Sequence, residues 1–426
     1  MNRPNIIYFH THDTGRYIEP YGAPIRTPRL QQFAEESVVF RNAHCVAPTC
    51  SPSRAGLLTG QWAHTTGMLG LAHRGHSLNH YDRHLIHTLH DHGYTSALAG
   101  VQHVATGKGA ATQIIGYHEE LPVDNRLAPG RRDAAIKYLR RKHDRPFFLS
   151  IGLNETHTMP DTGWLFGHPG VDDRWTAPAP TMPDAPITRS DMASFHAAAQ
   201  QVDQTLGAVL DTLQEQGLAD NTLVLVTTDH GMAMPEMKCT LGATGTGVMM
   251  MLRGPGLPAG LAVDSLASQV DVFPTVCALL GIEAPPWLQG HSLLPTLDGR
   301  QIRNETFAEV TYHVAYQPQR AIRTENWLYI QDFDGRDRPT LPNVDASPSK
   351  TLWVNAGWAE HPIPATRLHD LTFDPHELRN LAGTPSTTTI QNELAQRLNH
   401  WMIDTDDPLL HGPVPPPRAD LVVPAD

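Results

Sequence analysis

The sequence predicts an α/β protein: a large mixed, mostly parallel sheet sandwiched by helices, followed by a smaller C-terminal α+β unit with an antiparallel sheet. Three observations carry this. Short β-rich apolar runs recur up to Gly231, and each leads into Asp or His; helix-like stretches separate them; and the pattern changes after Gly290-His291-Ser292-Leu293-Leu294-Pro295. Continuously apolar runs read as strands buried on both faces, and their alternation with helices implies a sheet covered on two sides.

In chain order, Ile6-Ile7-Tyr8-Phe9 is the first strand and leads into His10-Thr11-His12-Asp13-Thr14-Gly15. Thr27 to Glu36 reads as a helix. Cys50-Ser51-Pro52-Ser53-Arg54 opens another, because proline is tolerated in a first helical turn, and Ala55-Gly56-Leu57-Leu58 continues it. A weaker strand, Thr95 to Gly100, leads into Val101-Gln102-His103. The helix-like stretch Arg131 to Lys142 precedes Pro146-Phe147-Phe148-Leu149-Ser150-Ile151, which leads into Asn154-Glu155-Thr156-His157. Ser190 to Gln216 is a long helix, and Leu223-Val224-Leu225-Val226 runs into Thr227-Thr228-Asp229-His230-Gly231. Beyond the change in pattern, Arg320 to Asp332 and Leu368 to Phe373 read as strands, Thr388 to Met402 as a packing helix, and Pro413 to Pro417 as an extended tail. The expected division is a catalytic domain at 1–300 and a smaller unit at 301–426.

A chain of 426 residues exceeds one ordinary core. A hydrophobic fraction of 40% and a mean hydropathy of −0.32 describe a soluble protein, and no apolar run reaches membrane-spanning length. The first residues lack a secretory pattern, so a cytoplasmic location is expected. Four cysteines are too few and too scattered for a disulfide framework or a zinc cluster. A net charge of −12 argues against broad nucleic-acid binding. It leaves an anionic small molecule open, because a metal and a few cations can dominate one pocket.

In such sheets, ligands bind beyond the carboxyl ends of the strands. Asp13 and Asp229 stand there, each beside a histidine, His12 and His230. Two carboxylates at neighbouring strand ends repel unless a cation neutralises them, so the pair points to a divalent ion, although Asp-x-Gly alone is also a plain turn. Arg54 and Lys238 are candidate anion clamps. His103 and His157 are candidate proton-transfer or oxyanion-contact groups. Cys50 has two readings: at a helix mouth near Arg54 it would have a lowered thiol pKa, and as an ordinary buried cysteine, the commoner fate of the residue, it would not. A thiolate phosphatase needs Cys-x5-Arg, whereas the spacing here is Cys50-x3-Arg54, and a papain-like protease leaves the carboxylate pair unexplained.

The Cys50-Ser51-Pro52-Ser53-Arg54 stretch, continued by Leu58-Thr59-Gly60, resembles the Cys-x-Pro-x-Arg core of the type I, formylglycine-dependent sulfatases of the alkaline phosphatase-like superfamily. The resemblance covers nearly the whole chain, including Pro4 to Gly15, Asn221 to Gly231, Val270 to Thr275, Arg320 to Thr324 and Leu368 to Leu381. Softer cues, Gly67 to Leu71, Glu309-Val310-Thr311 and Trp401 with Thr405-Asp406-Asp407-Pro408, resemble the sulfamidase-like members. The resemblance implies that a formylglycine-generating enzyme oxidises Cys50 to an aldehyde. One hydroxyl of its hydrate attacks sulfur, and the other expels sulfate. It implies a metal site of Asp13, modified Cys50, Asp229 and His230. Arg54 would support the nucleophile, His103 would serve as base for sulfate release, and His157 and Lys238 would contact the sulfate. Calcium is the expected ion. His12, where relatives carry a second aspartate, adds a nitrogen donor and brings magnesium or manganese into play. Val101 stands where relatives often have a lysine.

The leading expectation is therefore a hydrolase of a sulfate ester or sulfamate on a small anionic molecule, with an N-sulfated glucosamine or other sulfated sugar as candidate. A phosphonate or phosphate diester hydrolase of the same superfamily is the alternative, and a non-catalytic anion-binding homologue a third. Glu309, His313 and Arg320, where the smaller unit meets the mouth of the sheet, are candidate substrate contacts.

Overall fold

The computed structural model describes residues 3–425 of the chain. Along β1 (Asn5–His10), Ile6 and Tyr8 enter one hydrophobic layer, and Ile7 and Phe9 enter the other. Both layers are closed, which is why the strand carries no polar alternation. The chain continues through β2 (Val38–Phe40), β3 (Ala43–His44), β4 (Thr95–Gly100), β5 (Glu119–Glu120), β6 (Phe147–Gly152), β7 (Thr222–Thr227), β8 (Met250–Arg253), β9 (Leu261–Val263) and β10 (Ala267–Ser268). The main sheet has the order β5-β4-β6-β1-β7-β8-β2-β9. Its pairs are parallel except that β8 runs against both β7 and β2. The sheet is therefore mixed and mostly parallel, as expected.

The helices are α1 (Pro28–Glu35), α2 (Cys50–Thr59), α3 (Ala63–Thr66), α4 (Leu85–Asp91), α5 (Ala128–Leu139), α6 (Pro186–Glu215), α7 (Ala243–Thr246) and α8 (Val272–Leu280). Phe33 of α1, Leu139 of α5 and Leu206 of α6 pack on the Ile7 and Phe9 face. Leu57 of α2, Leu89 of α4 and Phe273 of α8 pack on the Ile6 and Tyr8 face. Each such side chain, fully buried, contributes about 1.5–3 kcal/mol. No helix among the described residues is long and apolar enough to cross a membrane.

The second unit is a four-stranded antiparallel meander of β11 (Glu305–Tyr312), β12 (Tyr316–Thr324), β13 (Trp327–Asp332) and β14 (Thr366–Asp370), with α9 (Pro348–Asn355) and α10 (Thr388–Asp404). It corrects two expectations. Arg320 to Asp332 is not one strand: Thr324 Oγ1 accepts from the N–H groups of Asn326 and Trp327 and turns the chain between β12 and β13. Glu305 to Tyr312, not expected as a strand, is an edge strand of the sheet. The unit packs directly behind the end of α2. Trp401 of α10 stacks on Phe307 at 4.6 Å and meets Trp62 edge-on at 5.5 Å. The proline-rich tail is tied back by Tyr312 Oη, which donates to the Val414 carbonyl at 2.7 Å.

A buried ionic cluster joins the two units. Arg320 donates to both Asp407 oxygens, at 2.6 and 3.0 Å, and its guanidinium lies 3.5 Å from Glu309. Glu309 in turn accepts from the backbone N–H of His64 at 3.0 Å and from its Nδ1 at 2.9 Å. Glu309 and Arg320 are fully enclosed, so the expectation that they touch substrate is corrected: their charges satisfy each other across adjacent strands and hold α3 against β11. The Glu309 N–H also donates to Val46, a few residues before Cys50.

Removing one member of such a cluster strands the other charges in a dry interior, so Arg320→Met should cost about 3–5 kcal/mol, read from urea unfolding. Burial disfavours the charged form of Asp407, but Arg320 and His64 outweigh it and hold its carboxyl below the usual range. The resulting stability is complete above the ordinary carboxylate range. It should fade as pH falls through the lowered folded value, and Arg320→Met should remove that part of the acid sensitivity.

Candidate active site

The strand order β4-β6-β1-β7 lines up four neighbouring carboxyl ends, and these carry His103, His157, His12 with Asp13, and Asp229 with His230. Backbone shape completes the arrangement. Asp13 has φ 58°, a left-handed conformation that aspartate tolerates better than most residues. Gly231 has no room for a side chain, because a Cβ there would lie 1.9 Å from the Thr244 carbonyl oxygen. Cys50 is the first residue of α2, after the extended Thr49, and every residue of that helix is buried.

These elements bring together one ligand atom from each of Asp13, Cys50, Asp229 and His230, all within 4.8 Å of one another. His12 and His157 form an overlapping group with Asp13 and Cys50. His230 Nδ1 lies 3.0 Å from the Gly231 carbonyl, which can only accept, so that nitrogen carries the hydrogen and Nε2 presents its lone pair. Nε2 lies 3.3 Å from Asp13 and 3.4 Å from Cys50 Sγ. Two carboxylates, an imidazole lone pair and the residue-50 side chain form a donor set suited to a divalent cation. His12 Nδ1 lies 2.8 Å from Asp13 and 3.3 Å from Asp229, and by the same rule it carries the hydrogen and donates to Asp13, so in this arrangement it adds no lone pair to the donor set. Burial pushes its pKa down to about 4 against the pull of both carboxylates, so His12 is neutral at pH 7.

Unscreened, two carboxylates this close would repel by something on the order of 4 kcal/mol at an effective dielectric near 20. Two buried cations oppose that. Arg54 donates to Asp229 at 2.8 Å and to the Thr11 carbonyl at 2.9 Å, and its other terminal nitrogen meets His10 Nδ1. Three of the four terminal N–H groups of the fully buried Arg54 are thus spent inside the protein, and the carboxylate it holds is that of Asp229, so in this structure Arg54 anchors a site carboxylate in place of an external anion. Lys238, 1% exposed, donates to Asp13 at 3.0 Å and to Asp345 at 2.8 Å.

Of the two readings of Cys50, the structure favours the buried cysteine over the activated thiol. Burial, reinforced by Asp13 and Asp229 against Lys238 and Arg54, pushes the Cys50 thiol well above its ordinary pKa. Position at a helix start does not offset desolvation beside two carboxylates.

His157, whose side chain is 31% exposed, lies 3.8 Å from Asp13 through Nε2, and its Nδ1 meets the Thr158 carbonyl at 2.7 Å. His103 Nε2 lies 3.3 Å from His73 Nδ1, in a parallel ring stack. Burial, then His12 and Arg54, hold the His103 pKa well below the usual histidine value. His313 is buried, with Nδ1 unpartnered; burial first, then the charge of Lys238, push its pKa down to about 3. Sequence reasoning missed Asp345, His73 and the role of His10. His10 stood at a strand end with the others; His73 and Asp345 lie in irregular segments with no periodicity to mark them.

A divalent ion bound at this site should raise stability by about 2.7 kcal/mol at one hundred times its Kd. Thermal melts of chelator-treated protein with and without added calcium should show that gain, and Asp229→Asn should abolish it.

The family model "Sulfatase" matches residues 4–282. Human N-sulphoglucosamine sulphohydrolase is 29% identical, over 91% of this chain and 88% of its own length. Arylsulfatase K of Xenopus laevis is 24% identical, over 85% of this chain and 72% of its own. A protein solved in complex with its substrate D-glucosamine-2-N,6-O-disulfate shares the fold, with a TM-score of 0.74 over 97% of this chain and 99% of that one at 18% identity. With the match spanning both strand-end carboxylates and the Cys50 loop, the chain belongs to the sulfatase family and is a sulfuric ester or sulfamate hydrolase.

Proposed function

We propose that this protein is a metal-dependent sulfatase that removes sulfate from a sulfated amino sugar, with N-sulfated glucosamine the favoured substrate, through formylglycine made from Cys50. The observation that carries this is the convergence of the residue-50 side chain on Asp13, Asp229 and His230. The substrate class rests on the sulfated glucosamine named for two of the similar proteins.

Asp13, Asp229 and His230, with the residue-50 side chain, would hold the divalent ion, and His12 would orient Asp13 by hydrogen bonding to it. Bound there, the ion and formylglycine would supply Lewis acidity and a hydrated aldehyde as nucleophile. Three carboxylates (Asp13, Asp229 and Asp345) face two cations (Arg54 and Lys238), so, histidines aside, these five groups carry one net negative charge. A divalent ion turns this into one net positive charge, which matches a sulfate monoester or a sulfamate. Arg54 keeps Asp229 ionised and aimed. Lys238 sits beside Asp13 as the nearest ammonium for a sulfate oxygen. His157 holds Nδ1–H on a carbonyl, which leaves Nε2, at the accessible edge, to carry the proton for the departing amine or alcohol. His103, kept neutral, can accept one.

A singly charged phosphodiester suits the same charge balance, so relative kcat/KM decides. N-sulfated glucosamine should be cleaved better than an aryl sulfate or a phosphodiester; preference for the phosphodiester would sink the sulfatase reading. His157→Gln should lower kcat by roughly 10²–10⁴ with little change in fold. Mass spectrometry of the Cys50 peptide from active protein should find the aldehyde, and a plain thiol in fully active enzyme would overturn the nucleophile assignment.

A further inference from the structure

Asp345 belongs to the second unit, yet its carboxylate reaches the Lys238 ammonium at 2.8 Å, slightly closer than Asp13 at 3.0 Å. The segment that delivers it is tied down on three sides. Asn343 Oδ1 accepts from the N–H groups of Val314 at 2.9 Å and Ala315 at 2.7 Å. Lys350 donates to the Leu341 and Val344 carbonyls, both at 2.8 Å. Ser349 is bonded through its N–H and its hydroxyl to Asp191 of α6. Asp345 is thus held over Lys238 by the scaffold, with its side chain still 19% exposed at the mouth.

This matters because Lys238 donates to Asp13 Oδ2, while Oδ1 of the same carboxylate faces His230 at 3.3 Å. An ammonium and a divalent ion sharing one carboxylate compete, and they repel each other. If Asp13 were its sole partner, Lys238 would hold that carboxylate against the incoming ion. A second carboxylate on the far side gives the ammonium somewhere to stay when Asp13 turns to the metal.

The geometry points to Asp345 as a positioning residue that draws Lys238 off Asp13, letting a divalent cation and the sulfate-facing ammonium occupy the site together. The inference rests on the proposed metal site and names what tunes it. Groups that orient metal ligands from behind typically change affinity 10- to 100-fold when removed.

Calorimetric titration of calcium into chelator-stripped protein is the test, with wild type, Asp345→Asn, Lys238→Met and the double variant at one ionic strength. Asp345→Asn should weaken calcium binding by about 10- to 100-fold. In the Lys238→Met background the same change should shift affinity by no more than about twofold, the scatter of independent sites. Asp345→Glu should restore most of the affinity, and melting curves should stay cooperative throughout. With saturating calcium, Asp345→Asn should raise KM for the sulfated substrate more than it lowers kcat. Equal weakening in both backgrounds would overturn the inference in favour of a simple charge effect, and no weakening in either would overturn it outright. Wild-type protein that takes up no divalent ion would instead fail the metal site itself, and the inference with it.

Discussion

Two buried carboxylates on adjacent strand ends are the constraint around which this molecule is built. Asp13 and Asp229 follow β1 and β7, the paired central strands, and the backbone N–H of Asp13 donates to Asp229 at 2.8 Å. Neither can be ionised in a dry interior without nearby positive charge. Arg54 and Lys238 supply it from opposite directions, one from the first turns of α2 and one from the loop after β7. The residue that leads α2 is Cys50, so the helix that brings Arg54 to Asp229 also sets the residue-50 side chain against both carboxylates and His230.

The second unit is part of this arrangement. Its strand β11 bonds to Val46 just ahead of the Cys50 loop, and the Glu309, Arg320, Asp407 and His64 cluster locks it to α3. Trp401 and Phe307 close the apolar contact behind Trp62. From this braced position the segment around Asn343 sends Asp345 across to Lys238. The parallel sheet presents the carboxylates and histidines, and the antiparallel sheet braces the nucleophile loop and contributes one charge.

Much of this was legible in the residues. A continuously apolar strand can be satisfied only by burial on both faces, so β1, β4, β6 and β7 announced a covered parallel sheet, and a polar cluster after each announced a site at one edge. Strand ends are local, and Asp13, Asp229, His103 and His157 could be named from them. The Cys50-Ser51-Pro52-Ser53-Arg54 stretch carried both a helix start and a family resemblance. What linear order withheld was partnership. Glu309 and Arg320 looked like mouth residues, yet they neutralise each other in the interior. Asp345 had no pattern around it, because an irregular segment held by Asn343 and Lys350 has no period to read.

The sequence by itself determined the four adjacent strands β4, β6, β1 and β7, four of the helices around them (α1, α2, α5 and α6) and the set of groups gathered at one edge, since periodicity and strand-end chemistry depend on near neighbours. Only the tertiary structure decided which charge meets which: Arg54 with Asp229 instead of a ligand, Lys238 shared between Asp13 and Asp345, and the Cys50 thiol raised by burial instead of lowered by its helix. Coulomb and desolvation energies depend on distance and dielectric across elements far apart in the chain, and these exist only once the chain has folded.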